Sequence, residues 1–119
     1  MNESTENETS TGLKENLAGT LCYLFGWLSG LVFLLIEQKN SFVRFHAWQS
    51  LITFGALSVI AVFAGWLPLL GNLMLPLVSL VTFVLWIVLM IKAYQGERYR
   101  LPIVGDIAED WTTRNQPRA

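Results

Sequence analysis

Two stretches without a charged side chain set the organisation of the chain. Residues 17–36 hold 20 positions with no Asp, Glu, Lys, Arg or His, and residues 47–91 hold 45. A helix of 20 residues is about 30 Å long, which matches the hydrocarbon layer of a bilayer. The first run therefore predicts one transmembrane helix. The second is too long for one span and fits two of about 20 residues joined by a tight turn. Pro68-Leu69-Leu70-Gly71-Asn72 supplies that turn, with Pro and Gly as punctuation and Asn72 as a cap for the next helix. The expected spans are about 17–36, 47–67 and 73–91, the last two forming an antiparallel hairpin because their connection is short. Pro76 falls in the opening turn or so of the third span, where a missing N–H costs little. None of the spans has the polar face of a soluble helix. The predicted fold is an all-α integral membrane bundle of three transmembrane helices.

Outside the membrane domain (17–91), residues 1–16 read as a polar, disordered tail with Glu3, Glu6, Glu8 and Glu15 against Lys14. This tail lacks the basic start of a cleavable signal peptide. Residues 92–119 read as a cytoplasmic interfacial segment and tail. Lys92, Arg98 and Arg100 alternate there with Tyr94 and Tyr99, which suits an anionic membrane surface. Leu101, Pro102, Ile103, Val104 and Ile107 are apolar enough to fold back on the bundle or to dock a partner. The chain turns polar after Trp111 and is expected to fray.

Three crossings would put the N-terminal tail and the 68–72 turn on one side, and the 37–49 loop and C-terminal segment on the other. Only Lys14 lies on the first side, whereas Lys39, Arg44, Lys92, Arg98 and Arg100 lie near the membrane on the second. The positive-inside rule then places the protein in the cell membrane with its N-terminus outside and its C-terminus in the cytoplasm.

Composition narrows the function classes. The 119 residues are 53% hydrophobic and 14% charged, against about 25% charged in an ordinary soluble domain. A net charge of −1 offers no basic field for nucleic acid. A single cysteine, Cys22, excludes an intramolecular disulfide and a multi-cysteine zinc site.

Within lipid, helices associate by close packing, so small residues mark contact faces. Ala18, Cys22, Gly26 and Gly30 recur every four residues along the first span, with Gly26 and Gly30 forming a GxxxG pair. Ala61 and Gly65 repeat the spacing on the second span and are the expected partners, in the same chain or in a second copy.

Candidate chemistry concentrates just ahead of the second span. Stepping residues 42–53 by 100° puts His46, Gln49, Ser50 and Thr53 on one stripe, with Arg44 nearly opposite and beside Trp48. The stripe is expected to face the bundle and hydrogen-bond across helices. Arg44 and Trp48 are expected at the headgroups, the guanidinium among lipid phosphates. His46 reads as an interfacial histidine, with pH sensing as the alternative. One histidine, one distant cysteine and no carboxylate in any span do not make a metal site. With no ionisable residue inside the spans, neither acid–base nor nucleophilic catalysis nor an ion relay has its parts. No cofactor is expected.

Two motifs go further. Phe42-Val43-Arg44-Phe45-His46-Ala47 with Gln49-Ser50, and Lys92-Ala93-Tyr94-Gln95-Gly96-Glu97 with Leu101-Pro102-Ile103-Val104-Gly105-Asp106, lie in a stretch from about 12 to 109. That stretch resembles a family of small prokaryotic membrane proteins grouped with the chloroplast inner-envelope import component of the Tic-twenty type. The resemblance implies a multi-pass helical protein of the cell membrane with no established activity. Its plant relatives are implicated in protein translocation and have four spans, against three expected here. No catalytic residue is carried over. The resulting expectation is a non-enzymatic accessory or scaffold, linked to protein translocation or insertion. Its partners would be membrane lipids and a second copy or another membrane protein. A small homo-oligomeric channel or transporter is the alternative.

Overall fold

The computed structural model describes residues 9–115, with side chains as far as residue 113. Five helices occur among the described residues: α1 (Glu15–Leu24), α2 (Trp27–Ile36), α3 (Ser41–Gly65), α4 (Leu70–Tyr94) and α5 (Val104–Asn115). Only α3 and α4 are long and apolar enough to cross a membrane. The first uncharged run is not a span. It breaks at Gly26, whose φ of 64° and ψ of −135° suit a residue without a Cβ. Each half is 10 residues, or about 15 Å by helical rise.

The two halves fold against each other as a hairpin. Asn16 and Tyr23 of α1 meet Tyr94 and Trp86 of α4, while Tyr23 also meets His46 of α3. Thus α1 runs antiparallel to α4 and parallel to α3. In α2 the order reverses: Gly30 lies against Ala47 and Ser50, Leu34 against Arg44, and Glu37 against Asn40. The expected bundle of three transmembrane helices is corrected accordingly to two long apolar helices beside a shorter helical hairpin.

What makes the break tolerable is that its freed backbone groups find partners. Phe25 N–H donates to Ser29 Oγ at 3.0 Å, and Ser29 Oγ donates to the Cys22 carbonyl at 2.9 Å. Ser50 Oγ donates to the Gly26 carbonyl at 2.8 Å, and Trp86 Nε1 to the Tyr23 carbonyl at 2.7 Å. Away from water such groups must be satisfied internally, and here side chains of α2, α3 and α4 satisfy them.

One end of the molecule consequently gathers the charged side chains of the described residues. Ser10 N–H donates to Glu37 Oε2 at 2.8 Å, and Asn40 Nδ2 donates to Glu15 Oε1 at 2.8 Å. Residues 9–16, the 37–40 loop, the end of α4 and α5 therefore share this end, which we call proximal. Placing the N-terminal segment opposite the C-terminal one required three crossings, and the hairpin removes one. Of the tail expected to be disordered, residues 1–8 lie outside the described residues, and Glu15–Asn16 open α1.

At the other, distal end α3 and α4 stand alone. They join through residues 66–69, with Gly71 so close to the Ala64 carbonyl that a side chain would not fit. This helix starts earlier than the expected 73, and Asn72 lies inside its first turn instead of capping it. Burial on α3 ends at Phe54 except for Ala64, and on α4 it resumes only at Leu89 after Gly71. Both hydrophobic clusters lie proximally, one around Ala18, Cys22, Phe33, Leu34 and Ala47, the other around Tyr23, Phe54, Leu89 and Ala93.

Candidate functional site

The proximal half holds a buried polar junction built on α3. Its N-terminus is set by Asn40, whose side chain accepts from Val43 N–H at 3.0 Å. That cap starts the helix ahead of the uncharged run, so that Arg44 and His46 already lie on it.

His46, Gln49 and Tyr23 are fully buried. His46 Nε2 lies 2.9 Å from the Glu97 carbonyl and Nδ1 lies 2.6 Å from Tyr23 Oη. A carbonyl can only accept, so Nε2 carries the proton. In the neutral ring Nδ1 then accepts from the Tyr23 hydroxyl. Gln49 Nε2 donates to Tyr23 Oη at 3.0 Å and to the Tyr99 carbonyl at 2.9 Å, while its Oε1 accepts from Leu101 N–H at 3.0 Å. This network staples the segment after α4 to α3 and α1. The ring of His46 is further enclosed edge-on by Phe42, Phe45 and Tyr23, with centroids 4.6, 5.2 and 5.4 Å away.

Arg44 is also buried, and its Nη1 donates to the Leu34 carbonyl at 3.1 Å and the Glu37 carbonyl at 2.6 Å. Its guanidinium therefore caps the C-terminal end of α2, where exposed carbonyls and the helix dipole favour a cation. The neighbouring Glu37 is fully buried, and its Oε2 accepts from the backbone of Ser10, Lys39 and Asn40 at 2.8, 3.1 and 3.1 Å.

The structure thus brings His46 and Gln49 together on Tyr23 of α1 and sets Ser50 against Gly26 and Gly30 at the start of α2, while Arg44 serves the other end of α2. Trp48 stacks edge-on with Trp111 of α5 at 4.9 Å. Thr53 is buried, and its hydroxyl has no partner among the described residues. Ala18, Cys22 and Gly30 are buried in the same region, with Gly30 against the Ala47 carbonyl and Ser50 Cβ. Cys22 Sγ donates to the Val43 carbonyl at 3.6 Å. Ala61 and Gly65 lie distally, and nothing approaches the position of a Cβ on Gly65. The small-residue stripe therefore packs on residues 43–51 of α3 and not on Ala61 and Gly65.

Pattern reading missed Tyr23 and Glu37. A tyrosine in an uncharged run carries a hydroxyl that needs a partner, which was the available signal for Tyr23. Glu37, directly after the run, looked like a loop residue. No sequence pattern indicates that three backbone N–H groups converge on its carboxylate.

Among the described residues, no three His, Cys, Asp or Glu side chains come together to hold a metal ion. A cavity of about 520 Å³ opens above the hairpin tip, between Phe25, Trp27, Phe54, Ser58, Ser79 and Trp86. Its lining has no titratable side chain.

Both the proximal assembly and the distal hairpin lie within the stretch that a known family covers. The pattern of the MamF/MmsF family, described as the magnetosome magnetite crystal formation protein family, matches residues 9–108. The chain belongs to this family. A UPF0132 membrane protein of Methanocaldococcus jannaschii is 49% identical over 105 residues, covering 88% of this chain and 94% of its own. A second one from that organism is 52% identical over 98 residues, covering 82% and 70%. The magnetosome protein MamF of Paramagnetospirillum magneticum is 37% identical over 101 residues, covering 85% and 87%. No solved structure matches the chain. These relatives overturn the resemblance to the Tic-twenty type of import component, and the link to protein translocation or insertion falls with it. A membrane protein of an uncharacterised family is what the relatives and the two apolar helices show.

Proposed function

We propose that the chain is a non-enzymatic accessory protein of the cell membrane that works by position and contact, with both termini in the cytoplasm. The observation that carries this reading is the spending of the buried polar groups. Tyr23, His46, Gln49, Ser50 and Arg44 hold the chain's own backbone and one another. None of these bonds addresses a cavity, so the junction is built as a clamp.

The topology follows from charge. Lys14, Lys39, Arg44, Lys92, Arg98 and Arg100 all belong to the proximal end, while residues 47–91 carry none. The positive-inside rule then assigns the proximal end to the cytoplasm. Exposed Tyr94, Tyr99 and Trp111 support an interfacial location there, and Trp66 does so at the distal turn. The hairpin of α1 and α2 enters from the cytoplasmic side and returns. The partners that suit this surface are membrane lipids and a second copy or another membrane protein, met through the 95–103 segment and α5. A part in crystal formation, as the family description and the magnetosome relative suggest, would reach this chain through such contacts.

Reporter tags on both ends in intact cells, together with ion-flux measurements on the purified protein in liposomes, test the reading. Both tags in the cytoplasm and no flux are expected. Tags on opposite sides, or closed homo-oligomers that conduct ions, would overturn it in favour of a different topology or a channel.

A further inference from the structure

The two halves of the molecule differ in girth. Proximally, the cross-section contains α1, α2, α3 and α4, and α5 packs on α3 through Trp48 and Trp111. Distally, it contains only α3 and α4. The hairpin tip reaches Ser50 and Phe54 of α3, which are 9 and 13 residues into a helix of 25, so the change in girth falls near mid-helix. Taking a helix as a cylinder about 10–12 Å across, α1 and α2 add roughly 160–220 Å² to one leaflet and nothing to the other.

This excess is also stiff. Gly30 brings backbones together so closely that an added Cβ would lie 2.8 Å from the Ala47 carbonyl oxygen, and at Gly19 it would lie 2.8 Å from the Phe42 ring. The His46, Gln49 and Tyr23 bonds close the same half from the other side. Lipid cannot squeeze such an assembly thinner, whereas the distal hairpin leaves its leaflet nearly undisturbed. The exposed tyrosines and Trp111 hold the broad end at the headgroups.

We infer that the protein is a one-sided wedge that favours curved membrane, with its broad, proximal end in the convex leaflet. In a cell this leaflet is the cytoplasmic one, so the protein collects where the membrane bulges into the cytoplasm. The inference rests on the topology proposed above.

The test uses the full chain with a cleavable tag on each end, reconstituted from detergent into vesicles of small and of large diameter. External protease reports how many molecules face outwards. The two tags are expected to be cut in equal proportion, and the ratio of cut to uncut tags is expected to rise severalfold from large vesicles to small. Equal cutting that does not change with diameter, or that falls in small vesicles, overturns the wedge and leaves the topology standing. Unequal cutting of the two tags overturns the topology, and the wedge with it.

Discussion

The uncharged run 17–36 in the proximal half and the distal hairpin are both apolar and are held in different ways. Proximally, Tyr23, Phe45, His46, Gln49 and Leu89 are sealed from any surrounding medium, and three or four helices meet at glycine contacts. Distally, Val62, Phe63, Leu73, Leu77 and Leu80 face outwards, and the two helices approach each other closely where Gly71 meets the Ala64 carbonyl. Apolar side chains facing acyl chains lose nothing, because lipid is as apolar as leucine. The difference shows that hydropathy alone does not separate a residue that packs from one that is solvated by lipid.

Substitutions in matched pairs would sharpen the comparison. The largest effect is expected for Gly30→Leu. Its Cβ would meet the Ala47 carbonyl oxygen at 2.8 Å and Leu51 N at 3.1 Å, backbone atoms that cannot step aside. Overpacking of this kind costs about 1–3 kcal/mol or more. Gly65→Leu, with open space around it, should stay within about 0.5 kcal/mol. Thermal denaturation in mild detergent checks both, and equal losses would erase the contrast between halves.

Gln49→Leu comes next. It orphans the Tyr99 carbonyl and Leu101 N–H and removes a donor to Tyr23, at about 1–3 kcal/mol for each group that stays buried. Trypsin should then cut faster at Arg98 and Arg100. The distal counterpart, Thr82→Val, loses only a bond to the Val78 carbonyl of its own helix and should be close to neutral.

Gly26→Ala strains a positive φ at the hairpin tip, a cost of about 1–3 kcal/mol. Relief is available by straightening α1 and α2 into one continuous helix over residues 15–36. A fraction of the N-terminal tags should accordingly move across the membrane, which tagging at both ends would detect. Retention of every N-terminal tag in the cytoplasm would show that the hairpin is held by more than its turn.

The smallest effect is expected for Glu109→Gln, which breaks contacts of 3.4 Å to Arg100 and 3.8 Å to Arg98. These side chains are a third to a half exposed, so the loss should be below about 1 kcal/mol and should vanish in high salt. Thermal denaturation at two salt concentrations checks it.

The α3–α4 hairpin was legible in the chain. A 45-residue uncharged run interrupted by Pro68 and Gly71 has few other solutions. The stripe of His46, Gln49 and Ser50 was legible as well, because helical stepping alone puts these residues on one face. The break at Gly26 was not. A 20-residue uncharged run satisfies the length of one span and equally that of two antiparallel halves. Reading Gly26 and Gly30 as a packing pair concealed that the first is a turn. Arg44 was hidden for a related reason: an arginine beside Trp48 at the start of an apolar run looks the same whether it meets phosphates or the carbonyls of a helix end.

By itself, then, the order of residues determined that the chain belongs in a membrane, that two long helices form a hairpin, and which face of α3 is polar. These properties depend on composition and spacing, which act locally. Only the tertiary structure decided that the first apolar run turns back and that both described ends lie at the same end of the molecule. That outcome depends on Ser29, Ser50 and Trp86 reaching the freed backbone groups at the break. Such donors arrive from helices distant in sequence, and their arrival is a property of packing that no single segment encodes.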